Sequence, residues 1–104
     1  MDQERMKRRT KLFALGIIQF VGALPKGGTS EVLGRQLLRS GTSVGSNYWS
    51  PCRAKSAGDF ISKMGIVEEE TDKSLYWMEL LIEARIVADS ELEVLMKDRG
   101  AFGN

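Results

Sequence analysis

Histidine is absent from this 104-residue chain, and cysteine occurs once, at Cys52. The first absence removes the side chain used most often as a general base near neutral pH and as a metal ligand. The second excludes an internal disulfide and fits a reducing compartment, so a cytoplasmic protein is expected. A lone cysteine becomes a nucleophile only beside a base that activates it, and no such base stands out. Neither enzymatic chemistry nor a bound cofactor or metal is expected. Alternating polar and apolar residues, the mark of a strand, are also missing, as are internal repeats and low-complexity blocks. No run approaches the roughly 18 apolar residues needed to span a bilayer. The longest candidate, LFALGIIQFVGAL, follows basic residues as a signal peptide does. Gln19 interrupts it, its spacing is that of a heptad, and no convincing cleavage site follows, so neither a leader nor a membrane segment is expected.

What is present is the composition of an ordinary globular domain, with 42% hydrophobic and 28% charged residues. A chain of this length forms one domain, residues 1–104, that buries about 60–70% of the surface exposed by its unfolded form. The net charge of +1 conceals a division. Residues 1–55 hold ten Lys/Arg against three Asp/Glu, a charge of +7; residues 56–104 hold five against eleven, a charge of −6. Such asymmetry implies a basic surface for a polyanion, or two complementary halves that meet within the chain or between copies.

Helical periodicity organises the chain. Met6, Thr10, Phe13, Ile17, Phe20 and Leu24 recur every three or four residues, the seam of a packed helix. Leu12, Leu15, Ile18 and Val21 widen that face, as membership of a bundle requires. Pro25 stops the helix near residue 23, and PKGGTS follows as a turn. Thr29 or Ser30 is then the cap of a second helix, whose inner positions are Gly34, Leu38, Gly41, Gly45, Tyr48 and Cys52, with Leu33, Leu37 and Val44 beside them. This spacing runs straight through SGTSVGSNYW, a stretch that by composition looks like a loop. It is read as helix with a small-residue face, which lets a neighbour approach closely at a cost of about 1 kcal/mol per glycine relative to alanine. Pro51 has no N–H for the carbonyl of Asn47, so the helix ends or kinks at Trp49–Ser50. Ser56 caps a third helix, with Asp59 completing an approximate capping box. Its seam is Phe60, Met64, Val67, Thr71, Leu75, Met78 and Ile82, thickened by Trp77, Leu81 and Ala84, and it runs to about Arg85. After IVAD, Ser90 and Glu93 form a capping box for a last, short helix from Glu91 to about Arg99 that buries Leu92, Leu95 and Met96.

Two candidate sites dissolve on inspection. GTSVGS has neither the lysine nor the preceding strand of a phosphate loop. Its Ser40, Thr42, Ser43 and Asn47 are expected to bond back to the helix or across to a neighbour, with Asn47 fixing register. Glu68, Glu69, Glu70 and Asp72 lack the Glu-x-x-His pairs of helical di-metal sites, and Glu69–Lys73 is an ordinary surface pair. The basic residues remain. Arg5, Lys7, Arg8, Arg9 and Lys11 crowd the start of the first helix; Arg35, Arg39, Arg53 and Lys55 lie on or just after the second. Such residues bind phosphate through charge and counterion release without selecting bases. In a symmetric oligomer each copy repeats the patch and avidity multiplies weak contacts. Trp49 and Trp77 are the natural anchors of an interface.

The run LGRQLLRSGTSVGSNY, followed by DFISKMGIVEEETDKSLYWMELLIEA, resembles the four-helix bundle proteins encoded in intervening sequences of bacterial 23S ribosomal RNA genes. The order GTSVG-x-NY, DFI-x-K, a glutamate run and YW-x-x-LL carries the resemblance, from about Lys11 to Ala84. It implies an antiparallel bundle able to assemble as a homopentamer. Similar bundle proteins serve as accessory factors of diversity-generating retroelements, binding nucleic acid and a reverse transcriptase through a basic surface, which implies nucleic-acid binding here at second hand. The chain departs from the family in two places: Trp49, Ser50 and Pro51 follow NY where a residue and then Glu-Ala is usual, and the C-terminal helix is shorter, ending in GAFGN.

The expectation is thus an all-α antiparallel up-down four-helix bundle with a short fourth helix, forming a homo-oligomer. Its expected role is that of a non-enzymatic accessory protein binding RNA or DNA through Arg5, Lys7, Arg8, Arg9, Lys11, Arg35 and Arg39. The alternative is a protein-protein scaffold in which the basic and acidic halves join subunits.

Overall fold

The seam of the first helix faces inward. In the computed structural model, which describes residues 3–49 and 55–99, helix α1 spans Gln3–Gly22 and buries Thr10, Phe13 and Ile17. Met6, Phe20 and Leu24 pack against the same core. Three further helices follow: α2 over Gly28–Trp49, α3 over Ala57–Glu83 and α4 over Asp89–Arg99. No strand occurs among the described residues. The expectations placed on Ser50, Pro51, Cys52 and Arg53, and on the closing GAFGN, lie outside the described residues.

The stretch that resembles a loop is helix throughout. α2 continues unbroken from Gly28 to Trp49 and buries Gly34, Leu37, Ser40, Gly41, Val44, Gly45 and Tyr48. Its glycines are where α1 comes close: a Cβ on Gly41 would lie 2.3 Å from Ile17 Cδ1, and one on Gly45 would lie 3.4 Å from the carbonyl oxygen of Thr10. Gly34 meets Leu24 and Val21 in the same way. As numbers on α2 rise, those on α1 fall, so the pair is antiparallel. The small hydroxyls do bond back to their own helix. Thr42 Oγ1 donates to the Leu38 carbonyl at 2.7 Å and Ser43 Oγ to that of Arg39 at 2.7 Å, satisfying groups that otherwise compete with the helix.

Register between α2 and α3 is held by a different polar residue from the one expected. Asn47 Nδ2 donates to the Ser43 carbonyl, 2.8 Å away on its own helix, and so does not bridge helices. The crossing contact joins Ser40 and Ser74, both buried, whose hydroxyl oxygens lie 2.9 Å apart. Each also has a carbonyl of its own helix in reach, that of Leu37 at 3.3 Å and that of Glu70 at 2.9 Å. One hydroxyl can therefore donate across while the other donates along its helix. Around them the core is Phe13, Ile17, Leu37, Val44, Tyr48, Val67, Met78, Leu81, Leu92 and Leu95.

Helix ends differ from expectation by a residue or two. Ser30 is no cap: it lies in the first turn of α2 and its hydroxyl donates back to the Pro25 carbonyl, tying down a turn in which Gly27 and Gly28 adopt φ of +83° and +61°. Ser56 does cap α3, accepting from the Asp59 N–H at 3.1 Å, while Asp59 accepts from the N–H of Lys55 rather than of Ser56. α3 stops at Glu83, because Arg85 turns to a left-handed φ of 60° and the following N–H groups fold back onto the last carbonyls. α4 opens at Asp89, which puts Ser90 inside its first turn instead of at the cap. With 11 residues against 27 in α3, α4 is the short fourth helix. It packs across α1 and α3 through Leu92 and Leu95, with Leu95 seated over Gly16. Among the described residues no helix is long and apolar enough to cross a membrane.

Parts of the expected core are not core: Phe60 and Ala84, expected on the third-helix seam, are exposed, and so are three residues of α1. Leu12, Leu15 and Ile18 are 56%, 49% and 47% exposed. They lie on α1 turned away from the seam, where this single chain has no helix to cover them; of the widening set only Val21 packs inward.

Candidate nucleic-acid interface

Five cations in seven residues cannot share one side of a helix, since successive positions turn by about 100°. Lys7 and Lys11, four apart, share a face of α1 turned toward the end of α2. Arg8 is exposed on another side, Arg9 is half-buried and Arg5 is exposed and engaged. Arg35 and Arg39 repeat the four-residue spacing on the exposed side of α2.

Because α1 and α2 are antiparallel, the basic start of α1 lies beside the last turn of α2, and the chain brings Trp49 there. Lys7 Nζ lies 4.8 Å and Lys11 Nζ 5.7 Å from the centroid of the Trp49 ring, within the range in which a cation is attracted to an aromatic face. Lys7 also pairs with Glu4 at 3.6 Å. Next to the ring is a cavity of about 440 Å³ lined by Lys11, Ala14, Thr42, Gly45, Ser46 and Trp49. Its walls are small because the close approach at Gly45 requires small residues around it. No carboxylate lines it.

The other predicted residues lie elsewhere. Arg39 and Trp77 line a groove between α2 and α3 together with Gln36, Glu70 and Lys73, and Trp77 stands edge-on to Tyr76 with ring centroids 5.1 Å apart. Arg35 lines a cavity of about 370 Å³ at the α1–α2 turn, beside Lys26 and Glu31. The seven basic residues thus form no single patch, and the two tryptophans sit in different grooves. Only Lys7, Lys11 and Trp49 converge.

Five ion pairs among the described residues stay within single helices. Glu4–Lys7, Asp59–Lys63, Glu69–Lys73, Glu70–Lys73 and Glu93–Lys97 each join residues three or four apart on one helix. Lys73 feels this most: its hydrogen bond to Glu70 and the charges of Glu70 and Glu69 raise its pKa above the ordinary lysine value. Among the described residues no three Asp, Glu or Cys side chains are grouped so as to hold a metal ion.

Sequence reasoning had Lys7, Lys11 and Trp49 on separate grounds but not their meeting. The signal for it was available. In a helical hairpin with a short turn, residues equally far from the turn face each other, and Trp49 lies about as far beyond PKGGTS as Lys7 lies before it.

Compared with known proteins, residues 3–101 match the family model described as 23S rRNA-intervening sequence protein. No curated protein matches. Among solved structures the fold is similar to that of a protein of unknown function from the S23 ribosomal protein family of Bacteroides thetaiotaomicron VPI-5482, at 31% identity and a TM-score of 0.91, covering 99% of this chain and 92% of that one.

Proposed function

Starting from the 23S rRNA-intervening sequence protein family, to which this chain belongs, we propose that it is a non-enzymatic, homo-oligomeric accessory protein of the cytoplasm that binds RNA or DNA through the outer surfaces of α1 and α2. The observation that carries this reading is the confinement of the ion pairs above to single helices. Among the described residues Arg8, Lys11, Arg35 and Arg39 stand exposed and take no part in those pairs. Exposed cations of this kind bind a phosphate backbone through charge and counterion release.

The homo-oligomer is supported by Leu12, Leu15 and Ile18, an apolar strip left uncovered on α1. Arg8 and Lys11 flank it, whereas the exposed side of α3 carries Glu68, Glu69, Asp72 and Glu79. A basic, apolar face and an acidic face on one chain suit a head-to-tail contact, which closes into a ring when the rotation permits. The same pair of faces supports the second reading, a protein scaffold without nucleic acid.

Affinity for a structured RNA measured across a salt series separates the two. Nucleic-acid binding gives log K falling linearly with log salt concentration, with a slope set by the phosphates neutralised. Absence of binding at low salt leaves the scaffold. Light scattering after size exclusion tests the assembly, a pentamer having five times the 11.6 kDa of the chain; a monomer overturns both readings.

A further inference from the structure

The cavity beside Trp49 differs from the other grooves in combining an aromatic face and the Lys11 ammonium with no carboxylate in its lining, while the Lys7 ammonium, paired with Glu4, lies over the same ring. We infer that it is a stacking site for one unpaired nucleobase, with Lys7 and Lys11 contacting the flanking phosphates, so that the nucleic acid bound is single-stranded at this point. This deepens the nucleic-acid reading and rests on it.

The indole is not held there by the core. The last core residue of α2 is Tyr48, and Trp49 beyond it is 43% exposed. The two lysine ammoniums lie over its face, each on a flexible four-carbon stem. A phosphate arriving at the rim draws them outward and leaves the ring face to a base. Aromatic rings accept any base in this way, because every base has a π-face, while neighbouring cations track the backbone. A duplex keeps its bases stacked inside and offers none to the cavity. Room exists because Ala14, Thr42, Gly45 and Ser46 are small, which leaves a shallow, open depression beside the ring, the form a stacked base needs. A second copy of the chain, whose α3 face is acidic, is a competing occupant, but the exposed indole beside the lysines favours a ligand that carries both a π-face and phosphates.

The experiment uses the full chain and a short oligothymidylate or oligouridylate, about ten nucleotides long, with a duplex of equal length beside it. Anisotropy of the labelled strand reads binding; tryptophan emission reads stacking, and the difference between the chain and its Trp49→Ala variant isolates Trp49 from Trp77. The expected result is quenching of Trp49 by the single strand and not by the duplex. Trp49→Ala should weaken single-strand binding about 5- to 150-fold, the contribution of one stacked base, with duplex binding unchanged. Lys7→Gln with Lys11→Gln should weaken it too and lower the salt slope by about 1.4. Circular dichroism verifies that each variant folds. Single-strand binding without quenching, or with Trp49→Ala unaffected, overturns the stacking site and leaves the nucleic-acid reading intact. No binding of any strand at low salt overturns both. A Trp49 emission that changes with protein concentration alone assigns the cavity to a second copy and overturns the inference.

Discussion

Replacing Gly41 and Gly45 by alanine, one at a time, probes the close contact of α1 with α2 at two points only one turn apart. Both substitutions gain the same helix propensity, about 1 kcal/mol in a helix interior, so their difference isolates packing. At Gly45 the new methyl group would sit 3.4 Å from the Thr10 carbonyl oxygen and 3.5 Å from its carbon, ordinary contact distances. At Gly41 it would sit 2.3 Å from Ile17 Cδ1, 3.1 Å from Cγ2 and 3.3 Å from Cγ1, and Ile17 is fully buried. Overpacking of this kind costs about 1–3 kcal/mol. Gly45→Ala should therefore stabilise by up to about 1 kcal/mol, while Gly41→Ala should fall about 1–3 kcal/mol below it. At about 4–8 °C per kcal/mol for a domain of this size, thermal melts followed by circular dichroism resolve the gap, provided protein concentration is fixed, since association shifts Tm. Ile17→Val supplies the internal control, because it deletes the atom at 2.3 Å. Alone it should cost about 0.5–1.5 kcal/mol; combined with Gly41→Ala it should cost less, or restore stability, giving a coupling energy. If Gly41→Ala melts no lower than Gly45→Ala, the close approach of α1 at Gly41 is not as described.

Leu15→Glu combined with Ile18→Glu should reduce the assembly to a monomer in light scattering; because both side chains are half-exposed in the single chain, the monomer's helical content should persist. Ser40→Ala should cost about 1 kcal/mol in urea denaturation, and Ser40→Ala with Ser74→Ala less than the sum of the two single changes, since the first already removes the shared contact. Ser56→Ala should cost about 0.5–2 kcal/mol by freeing the Asp59 N–H at the start of α3. Raising sodium chloride should weaken nucleic-acid binding while leaving an assembly built on the apolar strip intact; an assembly that falls apart with salt would instead be held by its charged halves.

The elements of this fold were legible because they depend on local rules. Apolar spacing every three or four residues put Thr10, Phe13 and Ile17 inside, and it carried a helix through SGTSVGSNYW against the evident message of its composition. The errors lie where a second partner decides. Ser74 was absent from the expected α3 seam, since a serine reads as polar until Ser40 on another helix is there to receive it. Asn47, the obvious polar candidate for register, spends its side-chain N–H on its own helix. Leu12, Leu15 and Ile18 read as core because periodicity measures how apolar a face is, and gives no indication of which chain covers it.

The same limit explains why the candidate site was visible only in pieces. Charge counting finds Lys7 and Lys11, and the enrichment of tryptophan at interfaces singles out Trp49, but neither relates residues some forty positions apart. What relates them is the register of two antiparallel helices, and that register is set by Gly45 against Thr10 and Gly41 against Ile17. Slide α2 by one helical turn, about 5.4 Å, and Trp49 no longer stands under the lysines. The small-residue face that looked like a loop therefore has two consequences from one cause. It allows α1 close enough to make a core, and at that spacing it leaves room for a cavity whose end wall is an indole and whose rim is cationic. A substitution that loosens the Gly41 contact should accordingly disturb base stacking at Trp49, a good two turns away, before it disturbs the overall helical content.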